Sequence, residues 1–353
     1  MSENHLFFLL CLLLPLAFFS GWWVSKRSKR DQFVDSTKSI NPNYFRGLNY
    51  VLNEQPDKAI EVFVKLLKVD SETIETHLAL LELGMDYMRS GLLDRAEGLF
   101  KQLMELGDFE SQASRQLLDI YQQEKDWDNA IVYARRLEAT SSEKLDKVIA
   151  QFYCELVEEC LSAGNVKNAR ENFRKALNID PRCVRASILE ADLLQSEKKF
   201  KSAIKAYKRI EKQDVEYLSE VIEPMLICYR ELGKTDDAIF YLKEVMEKYG
   251  GITPMLFSTE LMMEHEDKEE SIKFLSAELC KRPTVKGVNR LLEYAMDKAS
   301  GEVRDSLGTI KEMAEQLLEN NTVYKCLRYG FDAKLLHWQC LGCKNWIGAW
   351  CRR

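Results

Sequence analysis

The chain has 353 residues, of which 30% are charged and 46% are hydrophobic, with only seven prolines and sixteen glycines. That length suffices for two or three domains, and the composition excludes long disordered linkers. The formal net charge of −6 gives no indication of nucleic-acid binding, and the sequence contains no glycine-rich phosphate-binding loop. We therefore expect an ordered, helix-rich protein that does not bind nucleic acid.

The first element is an apolar run at residues 6–24. As a helix these 19 residues would span about 28 Å, close to the roughly 30 Å of a bilayer's hydrocarbon core. Trp22 and Trp23 end the run and basic residues follow at 26–30, whereas a signal peptide would begin with basic residues. We predict a single-pass transmembrane anchor at 1–25 and a basic juxtamembrane segment at 26–42. The positive-inside rule then places the rest of the chain in the cytoplasm.

The cysteines agree with that placement. Six of the ten lie singly before residue 300, whereas secreted scaffolds concentrate their cysteines in short chains. The scattered cysteines therefore indicate a reducing compartment.

The middle of the chain repeats a pattern: a large or aromatic residue, an alanine nine positions later, and another large residue four positions further on. The alanine position recurs at 59, 96, 130, 169, 203, 238 and, as serine, 271, with spacings between 33 and 39 residues. This is the period of the tetratricopeptide repeat, in which two antiparallel helices form each unit. An unrelated helical bundle with chance spacing is the alternative. We predict about seven repeats over 43–283, followed by capping helices at 284–320.

Each predicted unit is a helix pair that cannot bury its apolar face alone, so the units must stack into a solenoid with a concave groove. The small residues let paired helices approach closely, and the aromatic residues fill the gaps between units. The residues expected in these packing positions are Gly47, Tyr50, Ala59, Gly84, Tyr87, Ala96, Tyr121, Ala130, Ala169, Ala203, Tyr229 and Ala238. The expected fold class is therefore all-α, and the groove implies a peptide or protein partner.

The tail at 321–353 is rich in aromatic residues and glycine, and its cysteines are clustered. We predict two short hairpins, each opened by a cysteine turn, as in rubredoxin-like and zinc-ribbon modules. Cys326, Cys340 and Cys343 occupy ligand positions for zinc or iron, but Tyr329 stands where a fourth cysteine is expected. Cys351 or His337 could complete the set. A metal-free tail docked on the repeats, and a disulfide between two of the cysteines, remain open alternatives.

These features together resemble the lipopolysaccharide assembly protein B family, and the resemblance covers nearly the whole chain. It is carried by stretches such as "GLLDRAEGLFKQL" and "ELGKTDDA" and by the tail. The resemblance implies a bacterial inner-membrane protein that helps to present the deacetylase LpxC to the membrane protease FtsH and works with other lipopolysaccharide-assembly proteins. It also implies about one additional repeat in relatives between Leu80 and Leu81.

We expect a binding protein and not an enzyme, and it could form homo-oligomers. The sequence shows no local catalytic signature, and its four histidines, at 5, 77, 265 and 337, are widely dispersed. Two alternatives stay open: a general repeat scaffold for envelope assembly, and an electron carrier that uses a rubredoxin-like tail.

Overall fold

The computed structural model describes residues 42–53, 55–69, 74–107, 109–265, 268–319, 324–328, 330–346 and 350–352. The predicted anchor at 1–25 and residues 26–41 lie outside these ranges. Within them, no helix is long and apolar enough to cross a membrane. The chain divides into two compact units, Met1–Ile120 and Tyr121–Arg353.

The described residues form sixteen α-helices and three short β-strands. The helices are α1 (Pro42–Leu52), α2 (Pro56–Val69), α3 (Ile74–Arg89), α4 (Leu93–Leu106), α5 (Glu110–Glu124), α6 (Trp127–Thr140), α7 (Asp146–Ser162), α8 (Val166–Ile179), α9 (Val184–Ser196), α10 (Phe200–Gln213), α11 (Leu218–Glu231), α12 (Thr235–Tyr249), α13 (Ile252–His265), α14 (Lys268–Lys281), α15 (Val285–Lys298) and α16 (Glu302–Glu319). The strands lie in the tail, so the chain is mostly helical rather than all-α. The tail departs from helix because its glycines and cysteine turns favour short strands joined by tight turns.

The helices follow one another as pairs. Odd-numbered helices are joined to the next helix by only two or three residues, so the members of a pair run antiparallel. Pairs such as α7–α8, α9–α10 and α15–α16 pack extensively along their length. The last pair, α15–α16, is formed by the residues predicted to cap the solenoid. It therefore extends the array with an eighth unit of the same design.

The turns inside the pairs use one recurring hydrogen bond. In the first six pairs, the amide five residues after the large or aromatic position donates to that residue's carbonyl, as in Leu92 N to Tyr87 O at 2.9 Å and Asn165 N to Cys160 O at 2.8 Å. In five of these turns the residue just before the donor is described and has a positive φ, and in three of them it is glycine, as at Gly91 with φ 74°. These five turns are thus built alike.

The small residues lie where paired helices touch. The alanines at 59, 96, 130, 169, 203 and 238 are all buried, as is the serine at 271. A Cβ atom on Gly47 would lie 2.4 Å from Phe63 Cε1, and one on Gly84 would lie 2.6 Å from Phe100 Cε1. No real Cβ approaches a ring that closely, so these two helix crossings require glycine.

We predict that Gly84→Ala destabilises the pair α3–α4 by about 1–3 kcal/mol, because the added methyl group overlaps the Phe100 ring. Gly98→Ala is the matched control. Gly98 is exposed in α4 and a Cβ there meets nothing within 4 Å, so alanine should stabilise that helix by about 0.5–1 kcal/mol. Urea denaturation followed by circular dichroism measures both shifts. Equal effects of the two substitutions would contradict the close approach of α3 and α4.

Candidate metal centre

The tail folds as a small antiparallel sheet. Its strands are β1 (Tyr324–Cys326), β2 (Asp332–Ala333) and β3 (Trp350–Arg352), in the order β2-β1-β3. β1 and β2 form the first predicted hairpin, whereas the second cysteine turn has no strand pair of its own among the described residues. β3 instead brings the end of the chain beside the first cysteine, with Trp350 opposite Cys326.

Two turns in the tail have the same backbone hydrogen bonds. In the first, the Cys326 amide donates to Phe331 O at 2.7 Å and the Gly330 amide donates to Cys326 O at 2.8 Å. In the second, the Cys340 amide donates to Asn345 O and the Lys344 amide donates to Cys340 O, both at 2.8 Å. The fourth residue after each cysteine has a positive φ, 69° at Gly330 and 56° at Lys344. The two turns are therefore equivalent cysteine knuckles.

This equivalence locates the position that lacks a thiol. In the second knuckle Cys343 follows Cys340 by three residues, and three residues after Cys326 the sequence has Tyr329. Tyr329 itself lies outside the described residues. A tyrosine phenol has a pKa of about 10 and is a poor zinc ligand when neutral, so the first knuckle offers one good ligand where the second offers two.

The knuckles bring three sulfur atoms together. The Sγ atoms of Cys326, Cys340 and Cys343 all lie within 4.8 Å of one another, and the pair from Cys326 and Cys343 is 3.9 Å apart. Sulfur ligands at about 2.3 Å from a tetrahedral zinc ion lie about 3.8 Å apart, whereas a disulfide requires about 2.0 Å. The three thiols are therefore spaced as ligands of one metal ion, and the distance between the Sγ atoms of Cys326 and Cys343 is too long for a disulfide.

Burial and hydrogen bonding shape the chemistry of this cluster. Cys326 and Cys340 are fully buried, and Cys343 is half-buried. Burial raises the pKa of the Cys343 thiol, and hydrogen bonds with the thiols of Cys340 and Cys326 raise it further, while the backbone at Asn345 lowers it. A bound cation reverses this direction because it stabilises thiolates. Binding of a metal ion at this cluster would therefore release protons.

The structure tests the predicted fourth ligands only in part. His337 does not belong to the cluster formed by the described residues. Cys351 pairs with Lys325 in the sheet, and its side chain lies outside the described residues, so its role as a ligand stays a prediction. Three cysteines that could hold a metal ion are thus brought together, and the fourth group is not among the side chains that the structure describes.

Trp346 anchors the tail to the repeats. Its indole N–H donates to Gln122 Oε1 at 2.8 Å, and its ring lies edge-on to Trp127 at 5.8 Å and to Phe152 at 5.7 Å between centroids. Trp127 in turn stacks on Phe152 and donates to Glu159 Oε1 at 2.9 Å. The second knuckle is therefore fastened to α5, α6 and α7 through one buried side chain.

Trp338 makes a second attachment. Its ring stacks on Tyr217 at 5.6 Å, and the Arg185 guanidinium lies 5.8 Å from the ring centroid. Arg185 is almost fully buried and is ion-paired with Glu155 at 2.7 Å and Glu158 at 2.6 Å. Burial raises the pKa of the Tyr217 phenol to about 12, so its ring faces Trp338 uncharged. The tail thus contacts the first helices α5, α7 and α9, the start of α6, and Tyr217 in the turn before α11.

Sequence reasoning missed these attachment residues. The tail's density of aromatic residues was visible, but nothing local pairs Trp346 with Gln122, which is 224 positions away. One feature of the sequence could have predicted that the tail docks on the repeats. A segment of about 30 residues cannot bury several tryptophans within its own core, so some of them had to pack on another part of the chain.

We predict that Trp346→Ala releases the tail from the repeats, because it removes a buried ring and the hydrogen bond from the indole N–H to Gln122. Limited proteolysis should then cleave near the tail and leave the helical repeats intact. Trp346→Phe should have a smaller effect, since it loses only the hydrogen bond. Leu335→Ala, at an exposed tail position, is the control and should leave the digestion pattern unchanged. Resistance of the alanine variant would contradict this docking.

Two segments of the chain match the tetratricopeptide repeat family, at residues 150–183 and 227–251. They fall in α7–α8 and in α11–α12, so the array of helix pairs is a mostly helical tetratricopeptide-repeat solenoid.

The chain is also similar to curated proteins over 96% of its length. It is 30% identical to lipopolysaccharide assembly protein B of Escherichia coli strain K12 over 374 residues, covering 96% of each chain. It is 28% identical to the protein of that name from Haemophilus influenzae strain Rd over 383 residues, with the same coverage. Both lengths exceed the 353 residues of this chain, so these relatives carry residues that it lacks. On this similarity, the chain belongs to the lipopolysaccharide assembly protein B family.

Proposed function

We propose that this protein is a membrane-anchored adaptor that regulates lipopolysaccharide biosynthesis by presenting the deacetylase LpxC to an FtsH-type membrane protease. The observation that carries the proposal is similarity over 96% of the chain to relatives named lipopolysaccharide assembly protein B. The tetratricopeptide repeats support it, because stacked helix pairs present extended docking surfaces for proteins. Other lipopolysaccharide-assembly proteins are further proposed partners.

The proposed anchor at residues 1–25 makes a single pass through the bacterial inner membrane, with the body on the cytoplasmic side. Its support is the apolar run at 6–24 and the basic residues at 26–30. Holding a substrate beside a membrane protease raises their effective concentration without any catalytic group in the adaptor. The proposed activity is therefore binding and not catalysis.

We further propose that Cys326, Cys340 and Cys343 hold an iron or zinc ion, with Cys351 as the fourth ligand. The spacing and burial of the three thiols support this assignment. The ion would supply folding energy, since a tail of this size has little core of its own. In this proposal the metal stabilises the knuckles, and the knuckles position Trp338 and Trp346 on the repeats.

Metal content tests the ligand set. The purified protein should carry about one iron or zinc ion per chain, measured by plasma mass spectrometry. Cys326→Ser should lose the ion, whereas Cys280→Ser should keep it, because Cys280 is exposed and lies outside the cluster. Cys351→Ser should release the ion to a chelator faster than the wild type does. A Cys351→Ser variant with unchanged retention would remove Cys351 from the ligand set.

Tyr329 stands where the second knuckle has its second cysteine, and this position allows a gain-of-function test. Tyr329→Cys completes the first knuckle, so it should slow metal release to EDTA by at least about tenfold, because a fourth thiolate closes the tetrahedral site. A matched substitution outside the knuckle, Tyr249→Cys at an exposed helix end, should leave the release rate unchanged. Release from Tyr329→Cys at the wild-type rate would contradict the equivalence of the two knuckles.

Reconstitution tests the adaptor function. The full chain, an FtsH-type protease and LpxC are placed in lipid vesicles, and the loss of LpxC is followed by immunoblot. The chain should accelerate this loss, and a variant without residues 1–25 should not. An unrelated single-pass helix in place of residues 1–25 should restore the effect, since the proposal requires only tethering.

Two results would refute parts of this proposal separately. No acceleration by the full chain would reject the adaptor function. Full activity of the variant without residues 1–25 would reject tethering and leave the adaptor function in place.

A further inference from the structure

Two cysteines outside the tail are in contact with each other. The Sγ atoms of Cys154, in α7, and Cys183, just before α9, lie 3.8 Å apart, and both side chains are buried. Both are free thiols, and neither belongs to the thiol cluster of the tail. The proposed metal site and the proposed adaptor function make no use of this pair. Two thiols in contact are the arrangement from which an intramolecular disulfide forms.

The packing around the pair permits a bond between the two sulfur atoms. A disulfide has an S–S length of about 2.0 Å, so the sulfur atoms must approach by about 1.8 Å. Rotation of one cysteine side chain between staggered rotamers can move its sulfur further than that. The other buried residues of the same cluster are Ala150, Ala176 and Ala186, whose short side chains occupy little space. The bond therefore requires no large movement of α7 or α9.

The two thiols have different surroundings. Cys183 lies at the N-terminal end of α9, and Gln151 Nε2 donates to its sulfur at 3.6 Å. The hydrogen bond with Cys154 lowers the pKa of the Cys183 thiol, and the Ala186 backbone N–H lowers it further, although burial opposes both. Burial and the same thiol contact raise the pKa of Cys154 well above its ordinary value. Cys183 is therefore the thiol that ionises first, and Cys154 stays protonated beside it.

A small oxidant has a short path to Cys183. Pro181 and Arg182, in the turn between α8 and α9, are exposed and directly precede it in the chain. Cys183 itself keeps 3% exposure, whereas Cys154 has none. The more easily ionised thiol is thus also the one nearer to solvent.

The thiol pair lies beside the attachment of Trp338. Cys154 immediately precedes Glu155 in α7, and Cys183 lies two residues before Arg185. Arg185 is ion-paired with Glu155 at 2.7 Å, so the ion pair and the thiol pair join the same two helices. The Arg185 guanidinium also lies against the Trp338 ring. A bond between the sulfur atoms would therefore fasten two helices on which the tail packs.

We propose that Cys154 and Cys183 form an oxidation site, at which hydrogen peroxide converts the two thiols into a disulfide that fastens α7 to α9 beneath the tail. The inference depends neither on the proposed adaptor function nor on a metal ion in the tail. In a reducing compartment a disulfide of this kind is transient, because cellular thiols reduce it again.

The reaction proceeds in two steps. The Cys183 thiolate attacks one oxygen of hydrogen peroxide, and the O–O bond breaks to give a sulfenic acid and hydroxide, which takes up a proton to become water. The Cys154 sulfur then attacks the Cys183 sulfur, so the S–S bond forms and the S–O bond breaks. The departing hydroxide takes the Cys154 proton and leaves as a second water. Two thiols thus lose two electrons and two protons, and one peroxide is reduced to two waters.

Peptide mapping of the full chain in detergent micelles tests the bond. The reduced protein is treated with hydrogen peroxide at a dose that oxidises the exposed Cys280, free thiols are alkylated, and the chain is digested with trypsin. A peptide that joins Cys154 to Cys183 should appear in mass spectra, and dithiothreitol should abolish it. No lysine or arginine separates Cys154 from Cys160, so Cys160→Ser is the matched control and should give the wild-type yield. Absence of the linked peptide from the wild type would overturn the proposal.

Trapping with dimedone, which reacts with sulfenic acids, tests the roles of the two thiols. Cys154→Ser removes the second thiol, so peroxide should leave Cys183 as a sulfenic acid that dimedone labels. Cys183→Ser should leave Cys154 unlabelled, because that thiol is fully buried and stays protonated. Labelling of Cys154 in place of Cys183 would overturn the order of the two steps.

Thermal unfolding and limited proteolysis test the consequence of the bond. The oxidised wild type should unfold about 5 °C above the reduced form, because the bond joins residues 29 positions apart. Cys154→Ser, given the same peroxide, should show no such rise and controls for oxidation of the other cysteines. Protease should also release the tail more slowly from the oxidised wild type than from this treated variant. A linked chain with the melting temperature and tail release of the treated variant would overturn the fastening of α7 to α9.

Discussion

A pair of short helices cannot bury its own apolar face, and most of this structure follows from that constraint. Each pair covers its neighbour, and the small residues at the crossings decide how closely the helices approach. Gly47 and Gly84 show how strict this is, because in each case a phenylalanine ring occupies the space that a side chain would need. Under the same constraint, another segment must pack on the exposed faces of the first helices. The tail does so on some of them.

The tail packs on these faces, and its own stability depends on that packing. Two knuckles and a three-stranded sheet supply a scaffold with little core, whose main attachments are Trp346 against Trp127 and Phe152, and Trp338 against Tyr217. Cys340 and Cys343 lie between Trp338 and Trp346 in the sequence, so the geometry of the second knuckle and the positions of the two tryptophans are coupled. A metal ion at Cys326, Cys340 and Cys343 would stabilise the knuckles and, through them, the packing of the two tryptophans, since its binding energy becomes folding energy.

The tail also covers a buried charge within the second unit. Where Trp338 lies, the buried Arg185 is compensated by two glutamates and a ring, so its charge is satisfied. A buried charge without such partners would be costly, so the same contacts that hold the tail also suit the interior beneath it.

The sequence alone determined the helix pairs and the two cysteine turns. Both signals are local: the alanine period of about 34 residues reflects contacts within one pair, and each cysteine turn is closed by hydrogen bonds spanning four or five residues. The tertiary structure alone decided which surfaces those elements cover. Trp346 meets Gln122 across 224 positions, and Trp338 stacks on Tyr217 from a different part of the chain. No local pattern encodes either feature, because each depends on the distance between side chains that only packing brings together.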